Sequence, residues 1–178
     1  MAFGLVRFEG VERYIKSYAE YILRQARQRL ESKDVSGELS ASLHYNFYKT
    51  DDGYVLEFRG SKYADYVQKG VKGTEGTRTY INIKGERKTS PYGYTSKMPP
   101  TESIFKWVKS RGLKGRNKET GRFITDKSLS FAIAKGIQKK GVPAASYYTQ
   151  PISWSFNLFK EELQKELKID VLNYLTED

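Results

Sequence analysis

Apolar positions recur at helical spacing across residues 8–32, where Val11, Tyr14, Ile15, Tyr18, Ile22, Leu23, Ala26 and Leu30 mark one face. Glu12–Lys16 and Glu20–Arg24 sit four apart on the opposite side and add about a few tenths of a kcal/mol each. This predicts a long helix whose stripe packs on a core, or fills a partner helix's groove. After a segment KDVSGELS that reads as a loop, the period changes to two. Leu43, Tyr45 and Phe47 alternate with Ser42, His44, Asn46 and Tyr48, the pattern of a half-buried strand. Thr50 to Gly53 supply a turn, Asp52-Gly53 being a pair favoured in hairpins, and Val55 and Leu56 begin a return strand ending at Gly60.

Ser61 to Gly70 reads as a short helix or turn with Tyr63, Tyr66 and Val67 on one side, and Thr79 to Ile83 as a third strand. Residues 84–98 hold two glycines, a proline and one aliphatic residue, Met98, so they read as a long extended loop or interaction arm. Pro99 and Pro100 end whatever precedes them, because a residue before proline is pushed out of the helical region. Thr101 then caps a helix carrying Ile104, Trp107 and Val108 and closed at Gly112, with Trp107 expected in the core. A second helix starts after Asp126, spaces Leu129, Ile133 and Ile137 by four, and stops at Gly141. Gly136 inside it costs about 1 kcal/mol relative to alanine, which suggests a backbone packed closely against it. A last helix opens at Ser153 or Asn157, with Asp170 as candidate cap of a separate final turn.

These elements predict an α+β fold: an N-terminal helix, a small antiparallel sheet with a β-hairpin, two or three further helices packed on it, and a long extended loop. The expected organisation is one domain over residues 1–178, with loops at 84–98 and 112–125 and a C-terminal helical appendage at 153–178.

Composition changes the picture in two ways. The apolar fraction is only 38%, and tyrosine supplies 14 of the aromatic residues against 9 Phe and 2 Trp. Tyrosine suits surfaces buried on one side and wet on the other, so either a modest core with half-exposed tyrosines or burial against partners accounts for it. The net charge of +10 is also segregated: residues 1–60 are neutral, 61–150 carry +13 and 151–178 carry −3. A basic centre favours nucleic acid or an acidic protein surface, and it also permits head-to-tail assembly with an acidic tail. Without cysteine there is no disulfide, thiolate metal site or cysteine nucleophile, and a reducing compartment is expected. The opening MAFGLVRFEG has no apolar run of signal-peptide length, and no stretch of about 18 apolar residues spans a membrane.

Candidate chemistry is sparse. His44 is the lone histidine, standing in a strand without clustered acids, so neither a metal site nor a serine triad is expected around it. Asp51-Asp52 and Glu161-Glu162 are adjacent carboxylates in a turn and on a helix face, spacings that suit no acid/base pair. The nearest approach to a metal-dependent nuclease is Asp65 followed by Asn82-Ile83-Lys84, where an amide stands in place of the required anionic ligand. No catalytic residue, cofactor or metal is expected. The candidates are instead contacts: Lys114, Arg116, Lys118 and Arg122 on a glycine-bearing loop that would track phosphates without reading sequence, or meet an acidic partner. Tyr63, Tyr66, Tyr92 and Tyr94 are candidate inter-subunit or partner contacts.

The double proline, Ile104-x-x-Trp107-Val108, Gly121-Arg122-Phe123 and Phe131-Ala132-Ile133-Ala134 before Gly141 resemble the tail-completion (neck) proteins of tailed bacteriophages. Tyr63-Ala64-Asp65-Tyr66-Val67-Gln68-Lys69-Gly70 is similar to that family's tyrosine-containing turn before a glycine. The resemblance runs in order from about Tyr54 to Gly141. It implies a non-enzymatic virion component of the head-tail junction, assembled in the host cytoplasm as a ring of six or twelve copies. Its implied neighbours are the head-completion or adaptor protein and the tail terminator or tail tube proteins, with genomic DNA passing the basic loop. The alternative is a sequence-nonspecific nucleic-acid-binding protein.

Overall fold

The computed structural model describes residues 8–31 and 37–176. It is an α+β fold of six helices and three two-stranded sheets among those residues. Where one domain was expected, contacts divide the chain into two compact units. Unit 1 comprises residues 1–64, 81–86 and 146–178; unit 2 comprises residues 65–80 and 87–145.

Unit 1 is built on α1 (Glu9–Leu30), whose predicted stripe buries Val11, Ile15, Ala19, Ile22, Leu23, Ala26 and Leu30. Each fully buried Leu or Ile contributes about 1.5–3 kcal/mol of transfer free energy. The loop expected at 33–40 in part lies outside the described residues; its end instead turns at Gly37 (φ 72°) into α2 (Glu38–Ser42). Leu39 and the adjoining Leu43 are both buried. Strands β1 (His44–Thr50) and β2 (Gly53–Arg59) form the predicted antiparallel hairpin, pairing Tyr45 with Phe58 and Phe47 with Leu56 around a two-residue turn.

The last helix corrects two expectations. It starts at Thr149 rather than Ser153 or Asn157, because proline is tolerated in a first turn and Pro151 sits there, and it runs unbroken to Thr176 as α6. Asp170 caps no turn of its own. Its two carboxylate oxygens accept from the backbone N–H groups of Gly10 (3.1 Å) and Val11 (2.9 Å), capping the N-terminus of α1. A carboxylate there satisfies two orphan donors and faces the positive end of the helix dipole. At position 10 an added Cβ would lie 2.7 Å from Asp170 Oδ1, so a larger residue there would displace the capping carboxylate. Along the same pair Tyr14 stacks on Phe159 with ring centroids 5.7 Å apart, Tyr18 donates to or accepts from Ser155, and Arg29 reaches Gln150 at 2.8 Å. So residues 153–178 do not form an appendage; through Thr176 they are half of the helix pair that makes unit 1.

Unit 2 pairs α4 (Thr101–Ser110) with α5 (Asp126–Lys140). Thr101 is not the cap: Pro100 holds that position without a side-chain bond, and Thr101 is already helical. At α5 the cap is Thr125, whose Oγ1 accepts from Ser128 N–H at 3.2 Å, and Gly141 (φ 74°) ends the helix. Trp107, expected in the core, is 38% exposed while its neighbour Val108 is fully buried. The α3 helix (Ala64–Lys69) leads through Gly70 (φ 71°) into β3 (Val71–Lys72), which pairs antiparallel with β6 (Gly141–Val142).

The third predicted strand, β4 (Thr79–Ile81), stops two residues early. Asn82 turns the chain there, its Oδ1 accepting from Lys84 and Glu86 N–H, and β5 (Arg87–Thr89) returns beside β4. The extended segment is therefore less free than an arm. Ser90 is buried and donates to Gly70 O, Tyr92 O accepts from Lys72 N–H, Tyr94 N–H donates to Lys72 O, and Gln138 Nε2 donates to Thr95 O and Ser96 O. Nor does a backbone crowd Gly136, where an added Cβ would meet open space. The close approaches are at Gly73 and Gly141, where an added Cβ would fall 1.9 Å from Lys139 O and 2.2 Å from Val71 O.

Candidate partner and nucleic-acid interfaces

The charge segregation follows the units. Unit 2 carries seventeen basic and five acidic residues, net +12, whereas unit 1 carries fourteen and sixteen, net −2. Within unit 2 the predicted basic loop is a small ordered hairpin. Leu113 N–H closes the end of α4 by bonding Val108 O at 3.0 Å. Arg116 and Phe123 then bridge across the loop, Asn117 N–H donates to Arg122 O at 2.8 Å, and Ile124 N–H donates to Gly115 O at 3.0 Å. Asn117 Oδ1 accepts from both Glu119 and Thr120 N–H, an Asx turn that fixes the tip.

The four candidate cations lie along this hairpin and its first arm. The Arg116 guanidinium lies over the Phe123 ring at 4.3 Å from its centroid, and Phe123 is 65% exposed. Lys114 pairs with Asp126 at 3.2 Å. Lys118 and Arg122, near the tip, have no acidic partner within 4 Å among the described residues. A rigid tip of positive charge around one exposed ring can hold a phosphate chain or an acidic surface.

The candidate tyrosines fall in both units. Tyr63 belongs to unit 1 and is 42% exposed. Tyr66 and Tyr92 of unit 2 pack ring on ring at 4.3 Å, while Tyr94 is half-buried, its hydroxyl pushed to a higher pKa by burial. Tyr92 Oη donates to Asp65 Oδ2 at 2.5 Å and Lys69 Nζ to the same oxygen at 2.9 Å. Partial burial alone would raise the Asp65 pKa; the hydrogen bonds from Tyr92 and Lys69 outweigh it and hold the carboxyl below its usual range. The bond from Asp65 in turn raises both Lys69 and Tyr92. The cluster pins the segment around Tyr92 to α3 within unit 2.

Sequence reasoning did not anticipate the exposure of apolar side chains on α6. Along its length α6 buries only Pro151, and Trp154, Phe156, Leu158, Leu167, Ile169, Val171, Leu172, Tyr174 and Leu175 are all exposed. The signal was present in the sequence: six of residues 167–175 are apolar, more than a narrow stripe, with Lys168, Asp170 and Asn173 between them. In unit 2, α4 and α5 bound a groove of about 420 Å³ lined by Thr101, Glu102, Phe105, Lys127, Ser130 and Phe131.

His44 Nδ1 lies 2.9 Å from Ser42 O, and Asn82 spends its amide on the β4–β5 turn. Among the described residues no three His, Cys, Asp or Glu side chains gather where they could hold a metal, and no helix is long and apolar enough to cross a membrane. No family model, curated protein or solved structure matches the chain.

Proposed function

We propose that this chain is a structural assembly protein of the phage head-tail junction, working as one subunit of a neck ring between the portal-side adaptor and the tail. The observation that carries the assembly reading is the exposure of nine large apolar side chains on α6. Exposed apolar side chains in that number on one helix mark an interface. The junction itself rests on the ordered motifs between Tyr54 and Gly141, whose likeness to neck proteins also supplies the expectation of six or twelve copies. Quantitative mass spectrometry of the phage particles that this chain's genome produces tests the role. A fixed count near six or twelve per particle is the expected result; absence from mature particles contradicts it.

A second reading, sequence-nonspecific nucleic-acid binding, is favoured by the rigid basic tip with its exposed Phe123. Changing Arg116 and Lys118 to glutamate should then abolish most affinity for DNA of any sequence and flatten the salt dependence by about one unit per lost phosphate contact. In the ring reading the same variant assembles normally.

A further inference from the structure

From the exposed end of α6 and the α4–α5 groove we infer that the two are halves of one contact between copies of this chain, the end of α6 from one copy seated in the groove of the next. The inference rests on the assembly reading above. Leu167, Val171, Tyr174 and Leu175 fall at i, i+4, i+7 and i+8 and are 44%, 40%, 50% and 66% exposed. That spacing is the anchor pattern of an amphipathic helix laid in a groove. The groove offers the matching chemistry: an aromatic floor of Phe105 and Phe131, the latter 51% exposed, in a cleft of about 420 Å³, large enough for several aliphatic side chains.

Charge selects the occupant. Residues 167–178 carry one basic and three acidic side chains, net −2, one of the three being the Asp170 that caps α1, and the C-terminal end of a helix presents unpaired carbonyls with partial negative charge. Unit 2 carries +12, while the groove lining itself holds one cation, Lys127, and one anion, Glu102. Pairing α6 with another α6 would set like charges together; seating it on the basic unit 2 sets opposite ones together. Because donor and acceptor surfaces differ, the contact is heterologous and repeats from copy to copy, closing a ring if the rotation allows.

The chain has no cysteine, so two introduced ones report the contact cleanly. Val171→Cys and Phe131→Cys, purified separately and mixed under mild oxidation, should give a disulfide-linked heterodimer that neither yields alone. Leu167→Glu, at an exposed position, should weaken self-association at least about tenfold, read by light scattering, with helix content unchanged. Self-linking of Val171→Cys would overturn the proposal in favour of α6–α6 pairing. A wild-type chain monomeric at every concentration would overturn it in favour of a different partner. The cross-link reads the contact alone and the particle count reads the role alone, so either can fail without the other.

Discussion

The two units are held together by different parts of the chain. In unit 1 side chains do it: Tyr14 on Phe159, the Asp170 carboxylate on the start of α1, and the buried stripe of α1. In unit 2 the backbone does it: β3 and β6 pair over two residues each, and Gly73 and Gly141 let main chain meet main chain. Few apolar side chains are buried there, Val108 and Ala134 among them. A unit held by backbone contacts leaves its side chains free to carry charge, and unit 2 carries +12. A unit held by one face of each helix leaves the other face apolar and open when its sequence stays apolar there, as on α6. The comparison explains how one chain displays both a basic and an apolar surface.

The largest effect should come from the backbone contact. Gly73→Ala places a methyl group 1.9 Å from Lys139 O, with no side-chain end to move aside, and should cost about 3 kcal/mol or more. Hydrogen exchange should show unit 2 amides losing protection while α1 keeps its own. In unit 1, Asp170→Ala removes a carboxylate from two N–H donors and should cost about 1–2 kcal/mol in urea unfolding. If both substitutions weakened the same amides equally, the division of labour between the units would be wrong.

Gly136→Ala should do the opposite of Gly73→Ala. An added methyl meets open space in an ordinary helical turn, so stability should rise by about 0.5–1 kcal/mol, visible as a higher Tm. The smallest effect is at Asp65. Its folded pKa is depressed, so its contribution is present above the unfolded carboxylate value of about 3.9 and fades as pH falls through the lower folded value. Tyr92→Phe removes one donor and should move the Asp65 titration upward, read by NMR of the carboxyl carbon, with little change in stability at neutral pH.

Local chemistry was legible in the sequence. The α1 stripe, the hairpin with its turn between Thr50 and Gly53 and the ends of α5 follow from period, turn residues and caps, and each lies within a few residues of its predicted place. What was not legible depends on partners distant in sequence. Asp170 looked like a local cap because nothing in its own neighbourhood points to Gly10, 160 residues away. Gly136 and Gly73 are indistinguishable as letters; only the path of β3 beside the end of α5 makes one of them crowded. Trp107 sits beside Val108 at core spacing, yet only Val108 is buried and Trp107 stays half-exposed. The four candidate cations were visible as a run, and the Asn117 turn that fixes the loop carrying them was not.

The central claim is that this chain is made to join copies of itself through an apolar and charged contact. Native mass spectrometry of the full chain, across protein concentration and salt, tests it most directly. The account predicts a discrete oligomer at low salt that dissociates as salt rises, and that is lost when Leu167 is replaced by glutamate. A monomer at every concentration and ionic strength would contradict it.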